Sequence, residues 1–273
     1  MQRKLGSTFV LTCISAFIAI PGFAHELWIA APARVEPGRA VSFEVCFGHL
    51  GERTTGEMLR ENLLKIHASV RGPNGEYSPL PLSVDEDGYP TKWQLSESGV
   101  YQFFARYDAG IIERTLFDMK PGTRIVMLAK AITRAGAAAA SAESLGQPIE
   151  IVPMVDVTQL KVGDKVRLKM LVHGEPVGGP DVLVRLATSG ANAAGDAELT
   201  EHAWTIEGHP DPNGEVVFPL VARGLHIASI SFMEEKPGTY EGPLDFASNF
   251  SHLKPGDLFQ RTRWVVTLAF PVE

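Results

Sequence analysis

The sequence predicts an all-β protein made of two tandem β-sandwiches of the Ig-like or transthyretin-like kind. Three observations predict it. Gly and Pro interrupt the chain at short intervals, as turns between strands require. The stretches between them alternate apolar and polar residues, the period of a strand buried on one face. The first half of the chain also echoes the second.

The first 24 residues read as an export signal. Arg3 and Lys4 are followed by the apolar run "STFVLTCISAFIAI" (7–20), then by Gly22-Phe23-Ala24 with small residues at both cleavage-determining positions. The run is short for a membrane span, and Thr12 before Cys13 stands where a lipoprotein signal carries Gly, Ala or Ser. Cleavage between Ala24 and His25, a periplasmic location and no membrane insertion afterwards are the expectations. The removed segment holds two basic residues and no acidic one. The remaining 249 residues therefore carry 23 Lys and Arg against 32 Asp and Glu. An acidic chain without basic runs is a poor match for nucleic acid or an anionic membrane surface and a fair one for a cation. One cysteine, Cys46, remains after cleavage, so no intrachain disulfide forms and packed cores must supply the stability.

The strands come next. "AVSFEVCF" (40–47) sets Val41, Phe43, Val45 and Phe47 on one face. "KVRLKMLV" (165–172) does the same with Val166, Leu168 and Met170, and "RWVVTLAF" (263–270) with Trp264, Val266, Leu268 and Phe270. Three pairs of segments echo one another. "VEPGRAVSFEV" (35–45) matches "LKVGDKVRLKM" (160–170), and "SGVYQFFA" (98–105) matches "RGLHIASI" (223–230), each pair with its glycines 125 apart. "GPNGEY" (72–77) matches "DPNGEV" (211–216) at a separation of 139, which reads as an Asn-Gly hairpin turn in each half with an insertion between. The expected organisation is a sandwich over 25–133, an Ala-rich linker over 134–147 ("RAGAAAASAESLGQ") and a second sandwich over 148–273.

If cleavage falls before His25, that residue offers two nitrogen donors, its α-amine and its ring Nδ1, which close a chelate on a borderline divalent metal. The ordinary pKa of an α-amine, roughly 7.7–8.0, makes its deprotonation by a metal cheap at neutral pH. The alternative amino-terminal motif needs His at the third position, which is Leu27. His49 is the preferred partner, on the same strand face as Phe47 and Val45 where side chains converge at a sandwich mouth. His252, before the last strand, is the third candidate. The competing readings are a frayed terminus for His25 and exposed loop histidines for His49 and His252. Cys46 points to the opposite face and reads as a small buried hydrophobe. His226 takes the place of Tyr101 in the repeat and reads as a core or edge residue. His67, His173, His202 and His209 read as hairpin or loop residues. Glu26 and Glu52 are possible oxygen ligands that surface acids rarely become. Asp85, Glu86 and Asp87 in "SVDEDGYP" (83–90) lack the later glutamate of a calcium loop and read as a solvated turn.

The stretch "LGQPIEIVPMVDVTQLKVGDKVRLKMLVHGEPVGGPDVLV" (145–184) resembles the second domain of NikK-like periplasmic proteins. "AHELWI" (24–29) resembles the start of their mature chains, and "FGHLGE" (47–52) resembles their early strand ending in His. The chain departs from that family where Leu50-Gly51 replace Pro-Phe and where Leu225-His226 replace an aromatic pair. The resemblance implies a component of nickel or cobalt uptake that takes Ni, Co or Cu and meets a membrane transporter or outer-membrane receptor. Two other readings stay open. One is a histidine-brace copper enzyme of the polysaccharide monooxygenase type, which peroxide-dependent polysaccharide oxidation by the copper-loaded protein would reveal. The other is a metal-free sandwich that binds or scaffolds. No nucleophile elbow, zinc-protease helix or phosphate loop occurs.

Overall fold

The computed structural model describes residues 25–49, 52–55, 57–63, 65–115, 119–137, 143–189, 204–242 and 253–273. The first half begins with β1 (Glu26–Ala30), β2 (Arg34–Val35), β3 (Ala40–His49), β4 (Glu52–Arg53) and a short helix, α1 (Glu57–Leu63), that the alternation does not foresee. It continues with β5 (Ile66–Arg71), β6 (Tyr77–Leu80), β7 (Tyr89–Gln94), β8 (Gly99–Ile111) and β9 (Thr123–Ala135). The second half opens with β10 (Ile149–Pro153), β11 (Lys165–Val172), β12 (Glu175–Pro176), β13 (Val184–Ser189) and β14 (Trp204–Gly208). Then come β15 (Glu215–Pro219), β16 (Gly224–Glu234), β17 (Gly238–Thr239), β18 (Leu258–Phe259) and β19 (Arg261–Val272). Among the described residues no helix is long and apolar enough to cross a membrane.

The all-β sandwich architecture is the one the alternation predicts. One small sheet flanks β3 with β1 and β7 and ends in β4; its counterpart flanks β11 with β10 and β15 and ends in β12. Between them runs a single sheet in the order β14-β13-β16-β19-β9-β8-β5-β6, with β2 paired to β9 as its ninth strand. Alternation along β9 sorts its two faces. Ile125, Met127, Ala129 and Ala131 turn into the N-terminal core with Val41, Phe43, Val45 and Phe47. Val126, Leu128 and Ile132 turn into the C-terminal core with Val166, Leu168, Met170 and the even residues of β19. The two small sheets therefore lie on opposite faces of the shared one.

The last strands of the two halves, β9 and β19, pair in parallel from Thr123 with Arg261 to Ala131 with Ala269. Outward from them the order is the same: β8, β5, β6 on one side and β16, β13, β14 on the other. Rotation about an axis lying along the strands keeps their direction and turns the sheet over. The halves are thus related by a pseudo-two-fold axis between β9 and β19. The separation of 125 holds across it: the pair Val41 with Trp93 recurs as Val166 with Phe218. β8 and β16 each start on a glycine with positive φ, Gly99 at 147° and Gly224 at 124°. At Gly99 an added Cβ would also lie 2.5 Å from Pro73.

This symmetry corrects the third echo. The turn at Gly75 joins β5 to β6, which pair as a hairpin. The turn at Gly214 joins β14 to β15, which lie in different sheets. Locally the turns are alike: Gly72 N–H to Glu76 O and Gly75 N–H to Gly72 O in one, Asp211 N–H to Glu215 O and Gly214 N–H to Asp211 O in the other. The same sequence signal builds the same turn at two non-equivalent places, which is why its separation differs.

β9 runs to Ala135, into the stretch expected to be linker, and residues 138–142 lie outside the described ones. A fragment spanning 148–273 bares the β19 edge that β9 occupies, and unpaired edges invite association. It is expected to elute as dimers or aggregates in size-exclusion chromatography. A monomer with a cooperative melt would show the shared sheet to be dispensable.

Candidate functional site

β1 begins at the same end of the N-terminal sandwich at which β3 ends. The β1–β3 ladder pairs Leu27 with Phe47 and Glu26 with Gly48. Carried one residue further, that register sets position 25 across from position 49, the last residue of β3. Cross-strand neighbours of an antiparallel pair share a face with their Cβ atoms about 5 Å apart. Two of the histidines singled out in the sequence thus hold facing backbone positions. The His49 side chain and the whole of His252 lie outside the described residues.

His25 is half-buried, and its ring stacks on Phe47 with centroids 5.0 Å apart at 26°. Phe47 in turn meets Tyr107 edge-on at 5.2 Å. Tyr107 donates its hydroxyl to Asn62 Oδ1 at 3.1 Å, and Tyr89 donates to the Leu59 carbonyl at 2.8 Å. Both acceptors belong to α1, so two tyrosines from the sandwich fasten the helix beside the mouth. The sequence pattern misses this helix because seven residues span barely two turns.

Both faces of β1 are covered. Leu27 and Ile29 enter the N-terminal core, while Trp28 packs with Cys46 against Ala187, Ile227 and Ala269 of the second half. Thr267 donates its hydroxyl to the Leu27 carbonyl at 2.5 Å. Glu26 is buried as well. Burial pushes its carboxyl up to about 8 against the pull of Arg185 and Arg263. The strand that leads away from His25 is therefore held on every side, and the terminus would start from a rigid base.

The remaining candidates are accounted for one by one. Cys46 is fully buried, and burial drives its thiol far above the usual range despite Arg53 nearby, so it is the inert small hydrophobe expected. Asp87 and Glu44 share Arg53, at 3.2 Å and 2.6 Å, so the acidic turn is partly neutralised rather than simply solvated. His67 lies exposed on β5, in a strand rather than a loop. His173 sits in the β11–β12 hairpin, as its sequence reading has it, with a positive φ of 50°; its Nε2 meets Glu234 Oε1 at 2.7 Å, and Trp264 Nε1–H donates to Glu234 Oε2 at 3.0 Å. His209 Nδ1 lies 2.9 Å from the Val182 carbonyl, and His202 lies outside the described residues. Among the described residues no group of three or more His, Cys, Asp or Glu side chains gathers around a common point.

His226 is buried, as its match to Tyr101 implies, with its ring stacked on Phe270 at 5.7 Å. Burial lowers its imidazole below the ordinary 6.5, outweighing the hydrogen bond to Gly224 O. The fold favours the neutral ring, so the unfolded chain binds more protons as pH falls through that value. The stability is present above 6.5 and lost below it. His226→Phe is expected to lose less stability than the parent between about pH 7.5 and about pH 5.5 in denaturant unfolding. Equal losses would place the acid sensitivity elsewhere.

No curated protein matches the chain. A family model described as a domain of unknown function, DUF4198, matches residues 22–234, from just before His25 to the end of β16. The chain belongs to the DUF4198 family.

Proposed function

We propose that this protein is an exported, periplasmic carrier of a divalent transition metal, Ni, Co or Cu, that works in metal uptake as NikK-like proteins do. The ion would be held by the α-amine and imidazole of His25, with the imidazole of His49 as the third donor. The observation that carries this reading is the β1–β3 register, which pairs Glu26 with Gly48 and so, carried one residue further, brings backbone positions 25 and 49 across from each other. Three nitrogens from two residues suit a borderline divalent ion. The stacked Phe47 ring restricts the His25 imidazole and so lowers the ordering cost of binding. The excess of acidic residues favours a cation.

His252 is the candidate for a further ligand. Leu253, next in sequence, packs with Tyr240 against Ile111 at the far end of β8, the end that also holds Tyr107. Metal release would be to a membrane transporter or outer-membrane receptor. Intact mass of the exported protein and its metal content test the reading together. The expected results are a chain starting at His25 and about one bound ion per chain. A new N-terminus at any other residue removes the α-amine donor and overturns it.

A further inference from the structure

At the opposite end of the N-terminal half, the β5–β6 turn at Gly72-Pro73 stands between two clefts on opposite faces of the shared sheet, one of about 250 Å³ and one of about 210 Å³. Gly72 and Pro73 line both. In the larger cleft Arg71 and Gln102 sit directly opposite each other on β5 and β8. Gln102 is 4% exposed, and its Oε1 has no hydrogen-bond partner. A buried acceptor left unpaired is costly, so this amide calls for a donor from whatever fills the cleft. Arg71 Nη2 meets Glu143 Oε2 at 3.1 Å over the same cleft. The two charges cancel, and a charged ligand would have to break the pair.

A neutral ligand that both donates and accepts at neighbouring positions satisfies this arrangement, and hydroxyl groups do both. The second cleft adds aromatic side chains to a mainly polar lining. Trp93 is partly buried against the core and lines this cleft with Tyr101, Asn74, Glu76 and Glu97. The Tyr101 hydroxyl is already engaged by the Glu97 main chain, at 3.0 and 3.1 Å, which leaves its ring as a wall. Aromatic faces beside amide and carboxylate groups match the alternating apolar and hydroxylated faces of a sugar ring.

We infer that the two clefts are subsites for a neutral oligosaccharide that wraps around the Gly72-Pro73 turn from one face of the sheet to the other. The site is separate from the metal end: Gly99 and Tyr107 are eight residues apart on β8, about 26 Å of strand.

Titration of the full chain with maltotriose, cellotriose and chitotriose, followed by NMR and tryptophan fluorescence, tests this, with trigalacturonic acid as the charged comparison. At least one neutral trisaccharide should bind and the acidic one should not. Gln102→Leu keeps the side chain's bulk and should weaken binding about tenfold or more, the loss of one buried hydrogen bond. Trp93→Phe should weaken it while leaving the fold intact. His25→Ala should leave it unchanged, whatever becomes of metal binding. The inference is overturned if none of the three binds at millimolar concentration, if trigalacturonic acid binds as well as they do, if both cleft variants bind as the parent, or if His25→Ala abolishes binding.

Discussion

His25→Ala is expected to weaken Ni(II) or Cu(II) binding on the order of a thousandfold, about 4 kcal/mol. The size follows from the donor set. Two of the three proposed nitrogens sit on one residue, so deleting the ring leaves a lone amine with no chelate to close. His49→Ala should leave an open two-nitrogen chelate and a comparable loss. A glycine placed ahead of His25 in the mature chain keeps both imidazoles and moves only the free amine, which separates the two contributions. His67→Ala is the control, because that residue lies exposed on β5, on the strand face turned away from the core that Ile66 and Ala68 enter. Calorimetric titration of the four variants decides the matter. If His25→Ala and the extended chain both bind as the parent does, the terminal histidine has no part in metal binding.

Lys130→Met is expected to cost about 3–5 kcal/mol of stability in denaturant unfolding. Lys130 on β9 and Glu150 on β10 meet at 2.6 Å with side chains 2% and 1% exposed. Burial lowers the lysine's pKa even against the attraction of Glu150. Burial works to raise the glutamate's, yet Lys130, the Ser144 hydroxyl and the Leu145 N–H together hold it below the usual carboxylate range. Removing the ammonium alone strands a buried carboxylate. Lys130→Met with Glu150→Leu removes both charges and is expected to recover most of the loss, since a buried pair gains little over well-packed apolar side chains. A double variant as unstable as the single one would show that the pair supplies stability of its own.

The sequence reports a strand's faces well and its neighbours poorly. Val41, Phe43, Val45 and Phe47 are buried as their spacing says, because alternation records which side of one strand meets a core. It does not record which strand lies alongside, so the pairing of β9 with β19 leaves no trace. β10 is buried along its whole length, so its Ile149-Glu150-Ile151 alternation does not mark a solvent face. The candidate site is legible in part for the same reason. His25 and His49 are visible as a terminus and a strand end, and their facing positions emerge only from the register. Gln102 gives no signal, since one amide in an apolar run becomes informative only when its missing partner is seen.

The position of β19 also sets an order of events for the growing chain. It follows every other described strand in sequence, yet it lies in the middle of the widest sheet, beside a strand that begins 138 residues earlier. Until β19 arrives, β9 and β16 each keep an open edge, and contacts so distant in sequence close slowly. The N-terminal half must wait as a partly finished sheet, the state in which β-rich chains are most prone to mispair. Deleting Arg261–Val272 would remove the central strand and divide the sheet in two.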